Sequence, residues 1–236
     1  MTGAGFILAI NILVAGLFAL AFFLVAFNNR TDRVAVWFAV AYLFVIGYLS
    51  CEFIQPSQVY PKPIYMGGFA AFFMTLAAAT VGIAQRYRMP VPWLGLGLLF
   101  AASLACNWIG YDLGRESLFR MFAYQTPYAL LQASCAWIVL RSRRRSPLDI
   151  AILLTLTFSV LQFLSKPLVA SWTGGPGDSP QTYIATTYAL YSQSIGAVLQ
   201  VAMGLLVLTL LVRDMLVEIT ARSETDPLSG LYNRRG

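Results

Sequence analysis

Long apolar segments alternate with short polar segments along the whole chain. A helix needs about 20 apolar residues to cross the hydrocarbon core of a bilayer. Seven segments reach that length or come close to it: 5–27, 34–54, 64–84, 92–110, 118–140, 148–170 and 182–212. The pattern predicts an all-α fold, an integral membrane bundle of seven transmembrane helices, which occupies residues 1–212 as one domain.

The composition supports a protein of the lipid bilayer. Hydrophobic residues make up 58% of the chain and charged residues only 11%, whereas soluble domains carry about 25% charged residues. The net charge of +6 does not indicate nucleic-acid binding, because membrane proteins collect arginine in their cytoplasmic loops. The chain has no histidine, which excludes histidine-ligated haem and histidine acid–base catalysis. We therefore predict no metal site in these residues.

The distribution of basic residues between loops predicts the orientation. Arginines cluster in segments 28–33, 85–90 and 141–147 and again after the last span, whereas the loops at the other end hold few basic residues. The positive-inside rule then places the N-terminus outside and the C-terminus in the cytoplasm. At the outer end, Asp112, Arg115, Glu116 and Arg120 are expected to form a solvated rim. Tryptophan and tyrosine near the span ends are expected to form an interfacial belt, with an aromatic-lined site as the alternative.

Polar side chains inside the spans concentrate toward the predicted outer side. Such groups are costly in hydrocarbon and should face one another or water, and helical spacing gives the last three spans one polar stripe each. The pattern predicts a ligand cavity open to the outside. Its candidate ligand-binding residues are Glu52, Asn107, Gln125, Gln162, Lys166 and Gln193. Glu52 and Lys166 are the charged pair, and the alternative for them is snorkelling or a structural ion pair.

The last span continues into charged sequence as an amphipathic helix. Apolar residues recur there at alternating three- and four-residue spacing: Leu205, Leu208, Val212, Met215 and Ile219. This spacing is typical of the seam of a parallel coiled coil. It predicts a homodimer joined by a signalling helix over residues 213–224.

The final segment, 225–236, carries a turn motif of aspartate, leucine, glycine, leucine, asparagine and two arginines. It resembles the opening of the GGDEF domain, the catalytic domain of bacterial diguanylate cyclases, which has the pattern D-x-L-T-G-L-x-N-R-R. The matching residues are Asp226, Leu228, Gly230, Leu231, Asn233, Arg234 and Arg235, and Ser229 replaces the usual threonine. The resemblance covers only this last segment. It implies that the chain is the membrane sensor of such a cyclase.

The resemblance also implies a location and an activity. A diguanylate cyclase converts two GTP to cyclic di-GMP with magnesium in the cytoplasm, so a bacterial inner membrane is expected. The catalytic residues of the family lie beyond the turn motif, so we expect a truncated GGDEF domain, no catalytic residue and no cofactor in this chain. The sensor would bind a small or amphiphilic ligand from the periplasm or the lipid. The alternative is a transporter or channel with a regulatory tail.

Overall fold

The computed structural model describes residues 3–28, 33–143 and 146–224. The turn motif of residues 225–236, on which the resemblance to the GGDEF domain depends, lies outside this part of the chain. The described residues form helices and loops without any strand, so the fold is all-α. The helices are α1 Gly3–Asn28, α2 Arg33–Ile54, α3 Pro61–Arg86, α4 Trp93–Gly110, α5 Leu118–Arg141, α6 Pro147–Trp172, the one-turn α7 Pro180–Tyr183, and α8 Thr187–Glu224.

Six of these helices are long and apolar enough to cross a membrane: α1, α2, α3, α4, α6 and α8. They indicate a multi-pass membrane protein. The sequence predicts a seventh span at 118–140, and the structure has a helix of sufficient length there, α5. It is not among the six, because polar residues such as Arg120, Gln125 and Gln132 lower its hydropathy.

Two clusters of buried side chains hold the helices together. In one cluster α1 and α2 meet through aromatic rings, with the Phe18 and Tyr42 centroids 5.1 Å apart and those of Phe22 and Phe38 5.4 Å apart, and α8 adds aliphatic side chains such as Val207. In the other, α3, α4, α5 and α6 meet around Tyr128, which is 1% exposed. Since aromatic side chains bury more area than any others, these rings fix how the helices pack.

Helix α3 lies against α2, α4 and α5, as its small residues allow. A Cβ added to Gly82 would come within 2.8 Å of the Phe38 ring on α2, so this contact requires glycine. The capping box at Ser146 and Asp149 begins α6, where the Asp149 carboxylate also accepts a hydrogen bond of 2.8 Å from the Tyr87 hydroxyl. These contacts fix the end of the bundle at which α3 and α5 end and α4 and α6 begin, here named the lower end.

The opposite end, named the upper end, is covered by loops 55–60, 111–117 and 173–186. Three glycines of the last loop have positive φ: Gly174 at 85°, Gly175 at 79° and Gly177 at 78°. Glycine adopts this backbone conformation without strain, which allows the loop to turn back over the bundle. Arg115 holds the loop there, since its Nε donates to the Gly177 carbonyl at 2.9 Å.

Candidate functional site

Two adjoining cavities run from the upper end toward the middle of the bundle. The upper cavity has a volume of about 100 Å³ and the lower cavity about 140 Å³. Their walls have four residues in common: Tyr48, Phe72, Lys166 and Ser192. The cavities therefore form one bipartite space, with Lys166 at the junction.

Aromatic rings and charged groups line the upper cavity. Six of its residues are tyrosines: Tyr48, Tyr65, Tyr124, Tyr128, Tyr183 and Tyr188. Its charged residues are Glu52 from α2, Arg115 from loop 111–117, Arg120 from α5 and Lys166 from α6. Three positive charges thus face one carboxylate in a space that is largely aromatic.

Both arginines of the upper cavity are committed to backbone carbonyls. Arg115 Nε and one terminal nitrogen donate to the Gly177 and Pro176 carbonyls at 2.9 and 3.2 Å. Arg120 donates to the Leu113 carbonyl at 2.6 Å and its guanidinium lies 4.8 Å from the centre of the Tyr111 ring. Burial, and then the nearby Arg120 charge, lower the pKa of Arg115 from its ordinary value. The two arginines therefore serve chiefly to fasten loops over the cavity.

Glu52 and Lys166 differ from the arginines because the described structure gives them no ion pair and no hydrogen bond. Lys166 Nζ lies 5.1 Å from the centre of the Phe163 ring. Both side chains are half-buried, and both line the upper cavity. An acid and a base therefore share one enclosed space without a direct ion pair between them.

Gln125 adds an unsatisfied polar atom to the same wall. Its side chain is 8% exposed, and its Oε1 atom is buried without a hydrogen-bond partner. A buried acceptor without a donor costs about 1 to 3 kcal/mol. This atom is therefore a candidate contact for a bound molecule.

The lower cavity combines apolar walls with side-chain amides. Its amide residues are Asn11, Gln132, Gln162, Gln193 and Gln200. Among the apolar residues around them are Phe38, Leu49, Leu76 and Phe163. The Tyr42 hydroxyl donates to the Gln200 carbonyl at 2.6 Å, and Gln200 Nε2 donates to the Asn11 carbonyl at 3.4 Å. These bonds join α1, α2 and α8 beside the cavity.

The structure brings five of the six candidate ligand residues to these cavities. Glu52 and Gln125 line the upper cavity, Gln162 and Gln193 the lower, and Lys166 lines both. Their contact with a ligand stays a prediction. The three polar stripes expected from helical spacing also point into the two cavities, because residues such as Ser159, Tyr128 and Gly196 line them as well.

Asn107 lies outside both linings. It is 2% exposed, and its Nδ2 atom donates to the Ser103 carbonyl at 2.9 Å and to the Ala123 carbonyl at 3.1 Å. Pro127 follows Ala123 by four residues and has no N–H, so the Ala123 carbonyl lacks its usual helical donor. Asn107 supplies that donor across the contact between α4 and α5, which is a structural role.

Several residues that line the upper cavity were not among the sequence candidates. Arg120 is 9% exposed and Arg115 is half-buried, so neither belongs to a solvated rim. Tyr183 and Tyr188 line the cavity, whereas Trp172 is 86% exposed, as a residue of an interfacial belt would be. The sequence feature that could have indicated the two arginines as cavity residues is weak, since it is only their place in a short segment beside the start of a polar helix.

The predicted dimer seam lies along one side of α8. Leu205, Val212 and Ile219 are exposed, while Leu208 and Met215 are half-buried. The exposed positions repeat every seven residues, and the side of the helix away from them is buried through Val207 and Leu210. Three of the five seam residues are thus exposed in the single chain, whereas Leu208 packs against the core of the bundle. The coiled coil itself stays a prediction.

Comparison of the chain with protein families, characterised proteins and solved structures found no match.

Proposed function

We propose that this protein is a membrane sensor that controls a cytoplasmic diguanylate cyclase through α8. The observation that carries the proposal is the path of this helix. Its first half lines both cavities through Tyr188, Ser192 and Gln193, and it continues as one helix to Glu224. The turn motif that resembles the opening of a GGDEF domain follows immediately in the sequence. A ligand in the cavities would therefore touch the element that leads to the output domain.

The dimensions of α8 suit transmission across a membrane. The helix has 38 residues, which corresponds to about 57 Å at 1.5 Å per residue. The hydrocarbon core is about 30 Å thick, so roughly half of the helix would lie beyond it. In our proposal the upper end faces the periplasm, the lower end faces the cytoplasm, and the membrane is the bacterial inner membrane. The basic loops at the lower end support this orientation.

Dimerisation of the chain would bring two output domains together. Members of the GGDEF family need two catalytic domains face to face, each with one GTP, to form cyclic di-GMP. The exposed positions Leu205, Val212 and Ile219 offer a parallel partner one apolar residue per heptad. Ligand binding would favour one of two packings of the helix pair, a small rigid-body change of a known kind.

The experiment joins the chain at its turn motif to the catalytic domain of an active diguanylate cyclase. One to four alanines are inserted after Ile219, and each turns the following helix by about 100°. We expect cellular cyclic di-GMP to change with the first insertions and to return toward its starting level with four, close to one full turn. Equal cyclic di-GMP in all variants would refute transmission through α8. The same insertions after Arg143, between α5 and α6, are the control.

The dimer seam is tested separately by cysteine cross-linking in membranes. The background carries alanine at the three native cysteines, Cys51, Cys106 and Cys135. Val212→Cys should give a disulfide-linked dimer on mild oxidation, because its side chain is 42% exposed on the seam side. Leu210→Cys, at a position only 1% exposed on the opposite side, should not. Equal cross-linking at both positions would contradict the seam.

A further inference from the structure

The upper cavity contains an acid and a base that do not pair with each other. Glu52 and Lys166 line this cavity from α2 and α6, and neither makes an ion pair or hydrogen bond within the described structure. Removing an unpaired charge from water is costly, and in proteins that cost is offset by an opposite charge or by hydrogen bonds. An occupant that supplied both signs would satisfy both residues.

We propose that the two cavities bind a zwitterion of the amino-acid type with a ring-sized apolar group. Its carboxylate binds Lys166, its ammonium group binds Glu52, and its apolar group enters the lower cavity. This inference specifies the ligand of the proposed sensor and so rests on that function.

A purely anionic ligand fits the upper cavity less well. Its carboxylate could use Lys166, but the Glu52 carboxylate in the same space would repel it. The additional positive charges of Arg115 and Arg120 are already engaged by backbone carbonyls at 2.9 and 2.6 Å. A purely cationic ligand would leave Lys166 without a partner and meet its like charge. Only the zwitterion gives each unpaired residue an opposite charge.

The remaining wall favours an ammonium group near Glu52. Gln125 presents a buried carbonyl oxygen without a hydrogen-bond donor, and an ammonium group carries three such donors. Tyrosine faces also attract cations, and Tyr65, Tyr124 and Tyr188 belong to this wall. These features are independent of the charge on Glu52, and they select for the same group.

The size of the lower cavity limits the apolar group. A dry cavity of about 150 Å³ accommodates a benzene molecule, and the lower cavity has about 140 Å³. Phe72 and Tyr48 border both cavities and would contact the ligand where its head meets its apolar part. A lipid with two acyl chains exceeds this volume, so a free molecule of amino-acid size is favoured over a lipid headgroup.

The test compares L-phenylalanine with two analogues, each of which lacks one of its two charged groups. L-phenylalanine has both groups, 3-phenylpropionate lacks the ammonium, and 2-phenylethylamine lacks the carboxylate. Binding to the purified chain in detergent is measured by isothermal titration calorimetry. We expect L-phenylalanine to bind at least about tenfold more tightly than either of the others, since a hydrogen bond to a charged group contributes about 1.5 to 3 kcal/mol. Equal affinities, tighter binding of a single-charge probe, or no binding of L-phenylalanine would each overturn the proposal.

Variants of Glu52 and Lys166 test which charged group of the ligand each side chain binds. Glu52→Gln should lower the ratio of the affinities for L-phenylalanine and 3-phenylpropionate by about tenfold or more. Lys166→Gln should lower the ratio of the affinities for L-phenylalanine and 2-phenylethylamine by a similar factor. Because these are ratios on one protein, partial loss of folded material does not change them, and Lys166→Arg should restore the second ratio. The control is the exposed ion pair of Lys62 and Asp112 at 3.0 Å, which lines neither cavity. Lys62→Gln and Asp112→Asn should leave both ratios unchanged, and a similar loss in them would contradict the assignment.

The outcome is separable from that of the alanine insertions. If the insertions after Ile219 change cyclic di-GMP while L-phenylalanine does not bind, the sensor function stands and the zwitterion proposal fails. If L-phenylalanine binds with the expected ratios while the insertions have no effect, the ligand site stands and transmission through α8 fails.

Discussion

Replacing Asn107 with alanine separates a structural residue from the ligand site. Asn107 Nδ2 donates to the Ala123 carbonyl at 3.1 Å, across the contact between α4 and α5. That carbonyl depends on this donor because residue 127 is proline and has no N–H to offer. The variant Asn107→Ala should therefore lower stability while leaving the affinity for L-phenylalanine unchanged.

The magnitude follows chiefly from the lost bond to the Ala123 carbonyl, because the Ser103 carbonyl keeps its helical N–H donor and the bond from the Tyr65 hydroxyl to Asn107 Oδ1 is long, at 3.5 Å. Hydrogen bonds between membrane helices contribute about 0.6 kcal/mol on average and at most about 1.7. Leaving the half-buried Ala123 carbonyl without a donor adds to this, because an unsatisfied buried polar group costs about 1 to 3 kcal/mol. We expect Asn107→Ala to lower the free energy of unfolding by about 1 to 2 kcal/mol.

A double-mutant cycle with Pro127→Ala tests the physical reason. Alanine at 127 provides a backbone N–H for the Ala123 carbonyl, so Asn107→Ala should cost about 1 kcal/mol less in that background. The free energies come from chemical unfolding of the purified chain in detergent, and the affinities from calorimetry. An equal cost in both backgrounds would refute the role of the Ala123 carbonyl. If the folded Asn107→Ala variant lost affinity for L-phenylalanine, Asn107 would be shown to contribute to ligand binding.

Two further predictions concern how α8 is held in the bundle. A Cβ added to Gly204 would meet the Tyr42 hydroxyl and come within 2.6 Å of the Phe18 ring, so Gly204→Ala should destabilise by about 1 to 3 kcal/mol. The control is Gly196→Ala on the same helix, which has no atom within 4 Å and should be neutral or stabilising. Equal melting temperatures in the two variants would contradict the close approach. At the lower end, Arg86 and Asp214 form an ion pair of 2.7 Å with the carboxylate partly exposed. Asp214→Asn should cost about 1 kcal/mol or less and increase amide hydrogen exchange in the following turn of α8, whereas unchanged exchange would show that the ion pair does not restrain the helix.

The helical fold was predictable because its signal is local. Each long apolar segment predicts a helix by itself, and the described bounds agree with the predicted spans to within a few residues, as for 64–84 against α3 Pro61–Arg86. The fifth segment shows the limit of this reasoning. Helix α5 forms where predicted, but it carries Arg120, Gln125 and Gln132, so its hydropathy is below that of the other long helices. Its polar residues face the cavities, a tertiary feature that hydropathy does not report.

The candidate site was partly predictable for the same reason. Helical spacing gave the polar stripes, and these determine which residues a cavity between the helices can contact. The roles of Asn107 and Arg115 depend on partners distant in sequence. Asn107 bonds a carbonyl left free by a proline on the next helix, and Arg115 bonds Gly177, 62 residues away. Such partners are set by the packing of the helices and leave no periodic signal in the sequence.

The position of α8 connects the proposed ligand to the proposed output. Its cavity-lining residues extend from Tyr188 to Met203, and beyond Gly204 the helix contains no glycine or proline up to Glu224. Sharp bends in helices require such residues or an interruption of the backbone hydrogen bonds, so a displacement beside the cavities would carry through to Asp214. There the ion pair with Arg86 joins the helix to the end of α3. The same helix thus contacts both cavities and a restraint at the lower end. For this reason the alanine insertions after Ile219, beyond that restraint, are the direct test of whether its rotation carries the signal.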